Sequence, residues 1–238
     1  MEAPLIAAPA FAIGPVTVTW PVVATWGVMA ALTIASLAAT RRLAVRAGPV
    51  QAVLELIVTT LDSEIRATIP GDPGRFRALI GTLLLFVLAA NWSSLIPGVE
   101  PPTAHLETDA ALAAIVFAAG LGWGIRAQGL GGWLASFARP SWVMIPLNII
   151  EQITRHFSLM VRLFGNVMSG VFVVGIVLSL AGLLVPIPLM ALDMLTGAVQ
   201  AYIFATLALV FIGSSVSGHD DPHESSHTTL PASEPPHD

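Results

Sequence analysis

The chain has no cysteine, no lysine and a single tyrosine in 238 residues, and only 11% of it is charged. Without cysteine there is no disulfide, no thiolate chemistry and no cysteine-based metal or iron–sulfur site. Without lysine a phosphate-binding loop of the form GxxxxGK[ST] cannot be written. All ten basic residues are arginines, set against fifteen acids. The net charge of −5 says little about partners, because much of it comes from one tail. The N-terminus MEAPLIAAPAFAIG lacks the basic stretch of a secretory signal, so it reads as retained. The period-two alternation of an outer-membrane barrel is missing, and so is any internal repeat.

What remains is oil. Hydrophobic residues make up 55% of the chain, and its mean hydropathy is +0.81, a balance that no soluble domain of this length needs. Several apolar runs exceed the roughly 20 residues that carry a helix across about 30 Å of hydrocarbon. The predicted fold is therefore an all-α membrane protein of about five transmembrane helices.

The first span runs from Trp20 to Thr40 and stops at Arg41, Arg42 and Arg46, which the positive-inside rule places in the cytoplasm. Residues 1–19 then form an external N-terminal segment. Residues 49–69 put Val50, Val53, Leu54, Ile57, Val58, Leu61 and Ile65 on one helical face, which suits an amphipathic helix on the cytoplasmic membrane surface; a soluble coiled segment is the alternative. A second span covers Ala78 to Ile96, and an arginine-free loop leads to a third, Ala110 to Ile125, closed by Arg126. Eight of the ten arginines fall on the cytoplasmic side of this topology. The other two are Arg155 and Arg162.

From Trp142 to Val185 the chain is nearly all apolar, and a continuous helix of that length would measure about 66 Å. It must tilt strongly or break. The VPIP at 185–188 ends it, and a last helix runs from Leu189 to Gly213. Residues 20–213 are thus a helical transmembrane domain, and residues 214–238 a disordered cytoplasmic tail. Its histidines, His219, His223, His227 and His237, read as a solvated tail before they read as a weak metal site. No metal or cofactor is expected.

Arg162 stands at the centre of HFSLMVRLFGNVMSG, and an arginine at that depth faces a bundle interior or a wet cavity. Arg155, Ser158, Gly165, Asn166 and Ser169 share its helical stripe, while Asp193, Thr196, Gly197 and Gln200 make a second stripe near the end of the chain. One explanation is that Arg162 fastens helices together by pairing with Glu151 or Asp193. The other is ion conduction: a fixed guanidinium holds a passing carboxylate ionised, and Asp193 and Glu151 can exchange protons or ligate a cation.

RLFGNVMSG at 162–170 resembles subunit a of the F-type ATP synthase, the stator channel subunit of the membrane sector, in its bacterial and chloroplast branch. NWSSLIPG at 91–98, PPTAHLETDAALA at 101–113, PLNIIEQITR at 146–155 and the segment 185–219 extend the resemblance over residues 18–219. It implies a non-catalytic, ion-translocating subunit with two aqueous half-channels and with the last two helices long and steeply tilted. Its partners would be a ring of c subunits, b-type peripheral stalk subunits, the rest of the complex and the lipid, with no nucleic acid. The location implied is a bacterial plasma membrane, N-terminus outside and C-terminus cytoplasmic. Arg162 matches the essential arginine, Asn166 the asparagine one turn on, and Gln200 the final-helix glutamine near that arginine. Ser158, Gly165, Ser169 and Gly197 would be the small or polar residues facing the ring.

The chain departs from the family pattern in places. Val171 stands where many relatives have the glutamate of the outer half-channel, which makes Asp193 the expected surviving carboxylate there. His105 and Glu107 replace an outer-loop acid and asparagine, and His156 replaces a proline. The coupling ion is accordingly proton or sodium, with Glu151 and His105 as further candidate carriers. The alternative from another class is a free-standing secondary carrier binding its substrate between Arg162 and Asp193.

Overall fold

The structure, a computed structural model, describes residues 9–13, 16–41, 48–69, 72–96, 99–137, 142–182 and 185–217. The chain opens with an antiparallel hairpin, β1 (Pro9–Ile13) and β2 (Val16–Thr19), with an irregular register between Pro9 and Phe11. This small element was not expected from the sequence. Among the described residues all else of any length is helical: α1 (Trp20–Thr40), α2 (Pro49–Thr68), α3 (Gly74–Trp92), α4 (Leu106–Phe137), α5 (Ile145–Ala181) and α6 (Pro186–Ser217). Three short 3-10 turns lie at Ser93–Leu95, Pro102–Ala104 and Trp142–Met144. Five helices, all but α2, are long and apolar enough to cross a membrane. The tail predicted for residues 214–238 starts later, since α6 runs on to Ser217; residues 218–238 and the N-terminal residues 1–8 lie outside the described residues.

Helix boundaries follow local chemistry. Prolines stand in the first turn of α1 and α2, where a missing N–H leaves nothing unsatisfied. Inside α1 the hydroxyls of Thr25 and Thr33 donate to carbonyls four residues back, Pro21 and Met29, so neither is a bare polar group in an apolar span. The third span is longer than its sequence suggested. It continues through the glycine-rich stretch to Phe137, with a kink at Gly129, whose φ of 71° is one that few side chains tolerate. Gly182, at φ 72°, lies just past the end of α5.

α5 has 37 residues and α6 has 32, so they measure about 55 Å and 48 Å. Lengths of this order fit a 30 Å layer only when the helices tilt or project. The two run antiparallel, as shown by Asp193 lying against Gly170 and by Phe211 ringing His156 at 5.5 Å. α3 and α4 pack behind them, and the shared core holds Ile80, Val87, Val116, Leu159, Leu163 and Phe204, all at most 1% exposed. The second half of α2 belongs to this core, for Leu61 meets Gly81 on α3 and Ile69 meets Gly213 on α6. That docking argues against a free coiled segment. α1 stays peripheral, with only Pro21 buried.

Candidate functional site

On α5 the buried face is Leu159, Leu163 and Val167. Ser158, Arg162, Gly165 and Ser169 form an adjoining stripe, and all four are exposed. The sequence puts them there because spacings of three and four keep them on one side of the helix. Small residues around the arginine leave open space, with nothing within 4 Å of where a Gly165 side chain would begin. The two acids that could have neutralised Arg162 are engaged elsewhere. Glu151 pairs with Arg155 one turn away, and Asp193 accepts from the Ser94 hydroxyl at 3.4 Å. Arg162 has no ion pair and no hydrogen bond among the described residues.

Two clefts flank it between α5 and α6. The larger, about 580 Å³, lies toward the start of α5 and includes Glu151, Arg155, Ser158 and Arg162 from α5 with Leu207 and Phe211 from α6. The smaller, about 220 Å³, lies toward the other end and includes Asn166, Ser169 and Gly170 with Asp193 and Thr196. One helical turn, Arg162 to Asn166, separates the two. Asp193 reaches the smaller cleft because residue 170 is a glycine: any side chain there would overlap its carboxylate. The carboxylate therefore lies against α5 one residue before Val171.

Behind the smaller cleft the end of α3 clamps the start of α6. Asn91 donates to the Gly197 carbonyl at 2.9 Å, Trp92 Nε1 donates to Met194 O at 3.1 Å, and Thr103 Oγ1 donates to Asn91 Oδ1 at 2.8 Å. Gly197 is thus a correction to its expected place on an outward small-residue face. It is buried, and an added Cβ would stand 3.1 Å from Asn91 Cβ, because α3 covers that side of α6. Gln200, one turn on, is 6% exposed, and its Nε2 has no partner; no hydrogen bond joins it to Arg162. His105 sits in the connection between α3 and α4, mostly buried, 3.3 Å from Glu100, away from both clefts. His156 is held by the Gln152 carbonyl at 2.8 Å and lies between Phe117 and Phe211.

Several residues of this region had no role in the sequence reading: Asn91, Ser94, Thr103, Asp109 and Gly170. Ser94 and Asn91 lie in a polar break, NWSS, at the end of an apolar span, which was the available signal. Asp109 is 0% exposed and neither of its oxygens has a hydrogen-bond partner.

Together these features define an all-α membrane protein in which α5 presents an unpaired guanidinium in one of two clefts formed with α6, one helical turn from the other. The chain belongs to the ATP synthase subunit a family of F-type enzymes. The family described as ATP synthase A chain matches residues 22–213. ATP synthase subunit a 2 of Bradyrhizobium sp. (strain BTAi1 / ATCC BAA-1182) is 55% identical over 215 residues, 90% of this chain and 96% of that one. Subunit a of Albidiferax ferrireducens is 45% identical over 189 residues, covering 79% and 82%. Subunit a 1 of Prosthecochloris aestuarii is 44% identical over 184 residues, covering 76% and 82%. Such a subunit works within a larger membrane complex, whose activities are ATP synthesis and ion transport.

Proposed function

We propose that this chain is the non-catalytic stator channel of a rotary ATP synthase, in which Arg162 separates two aqueous half-channels. The carrying observation is that Arg162 is unpaired and exposed in the larger cleft, one helical turn from Asn166 in the smaller one. The partner implied is a rotor presenting acidic side chains, a c-subunit ring, with b-type stalk subunits holding the stator. A ring carboxylate carries its ion as a neutral site through lipid, loses it into one cleft, passes the guanidinium as an anion, and reloads from the other cleft. The fixed positive charge repels a free cation, so the clefts do not short-circuit. Asn166 and Asp193 serve the smaller cleft, Glu151 the larger one, and Gln200 and His105 support the route from behind. Ser158, Gly165 and Ser169 let the ring approach closely.

Arginine asymmetry puts the N-terminus outside a bacterial plasma membrane and the C-terminus in the cytoplasm. The smaller cleft then opens outward and the larger one inward. A carrier binding its substrate between Arg162 and Asp193 is disfavoured because the two line different clefts. The transported ion is a proton or sodium. ATP-driven ion uptake by the whole complex in liposomes, with and without sodium, decides between them. Arg162→Ala should abolish that uptake while the complex still assembles; coupled uptake at the normal rate would reject the role given to the arginine.

A further inference from the structure

Asp109 is the one carboxyl group among the described residues that is both fully buried and wholly without hydrogen-bond partners. Its position in the first turn of α4 suggests a helix cap, yet its oxygens accept none of the free N–H groups there; the Thr108 and Asp109 amides turn instead to the His105 carbonyl. It lies on the face of α4 that carries Leu112, Ala113, Val116 and Gly120, which is the face packed on α5 and α6.

Helix register gives its depth. Phe117 meets His156 with ring centroids 4.9 Å apart, and eight residues back on α4 and eight forward on α5 bring Asp109 level with Phe164. Gly120 lies against Phe211 and Ser215 on α6, and eleven residues back on both helices bring Asp109 level with Gln200 to Phe204. Asp109 therefore stands at the depth of Arg162 and Asn166, on the opposite side of the α5–α6 pair from the open stripe. Gln200, the other buried and unpartnered polar side chain at this level, has a free N–H donor. The remaining charged groups on the packed elements are occupied or turned away. Arg155 pairs with Glu151, His156 bonds Gln152, His105 lies beside Glu100, Asp193 accepts from Ser94, and Arg162 faces out past Leu163.

A bare carboxylate is costly to bury, and only a proton, a cation or several donors offset that cost. Behind the smaller cleft stands a row of polar groups: the Ser94 hydroxyl is 3.4 Å from Asp193 and donates to the Asn91 carbonyl at 2.8 Å, and the Thr103 hydroxyl, six residues before Asp109 in the chain, donates to Asn91 Oδ1 at 2.8 Å. We infer that Asp109 is an ion-exchanging carboxyl at the inner end of the outward-facing route, taking the transported cation from the row headed by Asp193 and passing it on beside Gln200 and Asn166. This rests on the stator-channel function proposed above. In each exchange Asp109 gives up one bound proton or sodium ion as it receives the next, so charge and atoms balance without any other reactant.

The test uses the purified whole complex in liposomes, with ATP synthesis driven by an imposed gradient. Lumenal pH is varied at fixed sodium, then lumenal sodium at fixed pH. Asp109→Asn and Asp109→Leu should lower the rate on the order of a hundred-fold at limiting ion, as loss of a positioned proton-exchanging group does. The half-saturating concentration of the transported ion should shift, and Asp109→Glu should restore most of the rate. Thermal stability of the complex should hold or rise in Asp109→Leu, because an unpartnered buried carboxyl has been removed. Normal rates in both variants would overturn the proposal. So would a loss with unchanged half-saturation in both titrations, which is what a packing defect produces. Arg162→Ala is run alongside: if it also supports normal synthesis, the stator-channel reading itself fails, whereas its loss with normal Asp109 variants removes only the role of Asp109.

Discussion

Arg162 has no acid of its own among the described residues, so its field is directed at whatever meets the open face of α5. Its freedom depends on neighbours that hold the competing acids. Asp193 is the critical one, and Gly170 makes room for it. Gly170→Ala should push that carboxylate out of its seat, at an overpacking cost of about 1–3 kcal/mol. ATP-driven ion uptake should fall several-fold, whereas Gly175→Ala, with open space around residue 175, should leave it near normal. Asn91 is the second critical residue, because it satisfies both the Gly197 carbonyl and the Thr103 hydroxyl. Asn91→Ala removes both bonds and leaves the buried Thr103 hydroxyl without a partner, which should cost about 1–3 kcal/mol, read as faster thermal inactivation of the complex. The arginine, Asn166 and Asp193 were legible as a pattern, since each is polar in an apolar run. Asn91 and Gly170 were not, because their importance comes from a partner 106 residues away in one case and on the facing helix in the other.

At the scale of elements, the long helices were legible from their apolar length, and α1 has the bounds that the sequence suggested. α4 was underestimated because a glycine-rich stretch reads as a loop, whereas here it continues the helix beyond a kink. α2 shows two kinds of attachment that should behave differently. Ile65 is 1% exposed in the core shared with α3 and α6, so Ile65→Ala should cost about 2–5 kcal/mol and expose α2 to limited proteolysis. The Arg77–Asp62 pair is doubly hydrogen-bonded at 2.6 Å, but its side chains are 41% and 18% exposed. Arg77→Gln should cost about 1 kcal/mol or less on the same assay.

At the scale of the molecule, the outer surface is as apolar as a core, with Ile34, Leu56, Trp142 and Leu180 all more than 60% exposed. A surface of that kind is stable against lipid or against other membrane subunits, and not against water. The absence of cysteine makes its orientation directly testable. Glu100→Cys should be labelled by an impermeant thiol reagent only from outside the cell, and Arg75→Cys only from the cytoplasm. The reverse pattern would invert the topology and exchange the sides on which the two clefts open.

The sequence by itself determined that the chain is helical and, apart from the ends of the third and last spans, where its spans lie, because hydrocarbon length and helical periodicity are local properties of the chain. Its motifs also carried family membership. Only the tertiary structure decided which acids are spent on neighbours, that Gly197 is covered by α3, that two clefts flank a single turn, and that Asp109 is buried without a partner. Those outcomes depend on how antiparallel and parallel helices register against one another, and such register is a property of several packed faces at once.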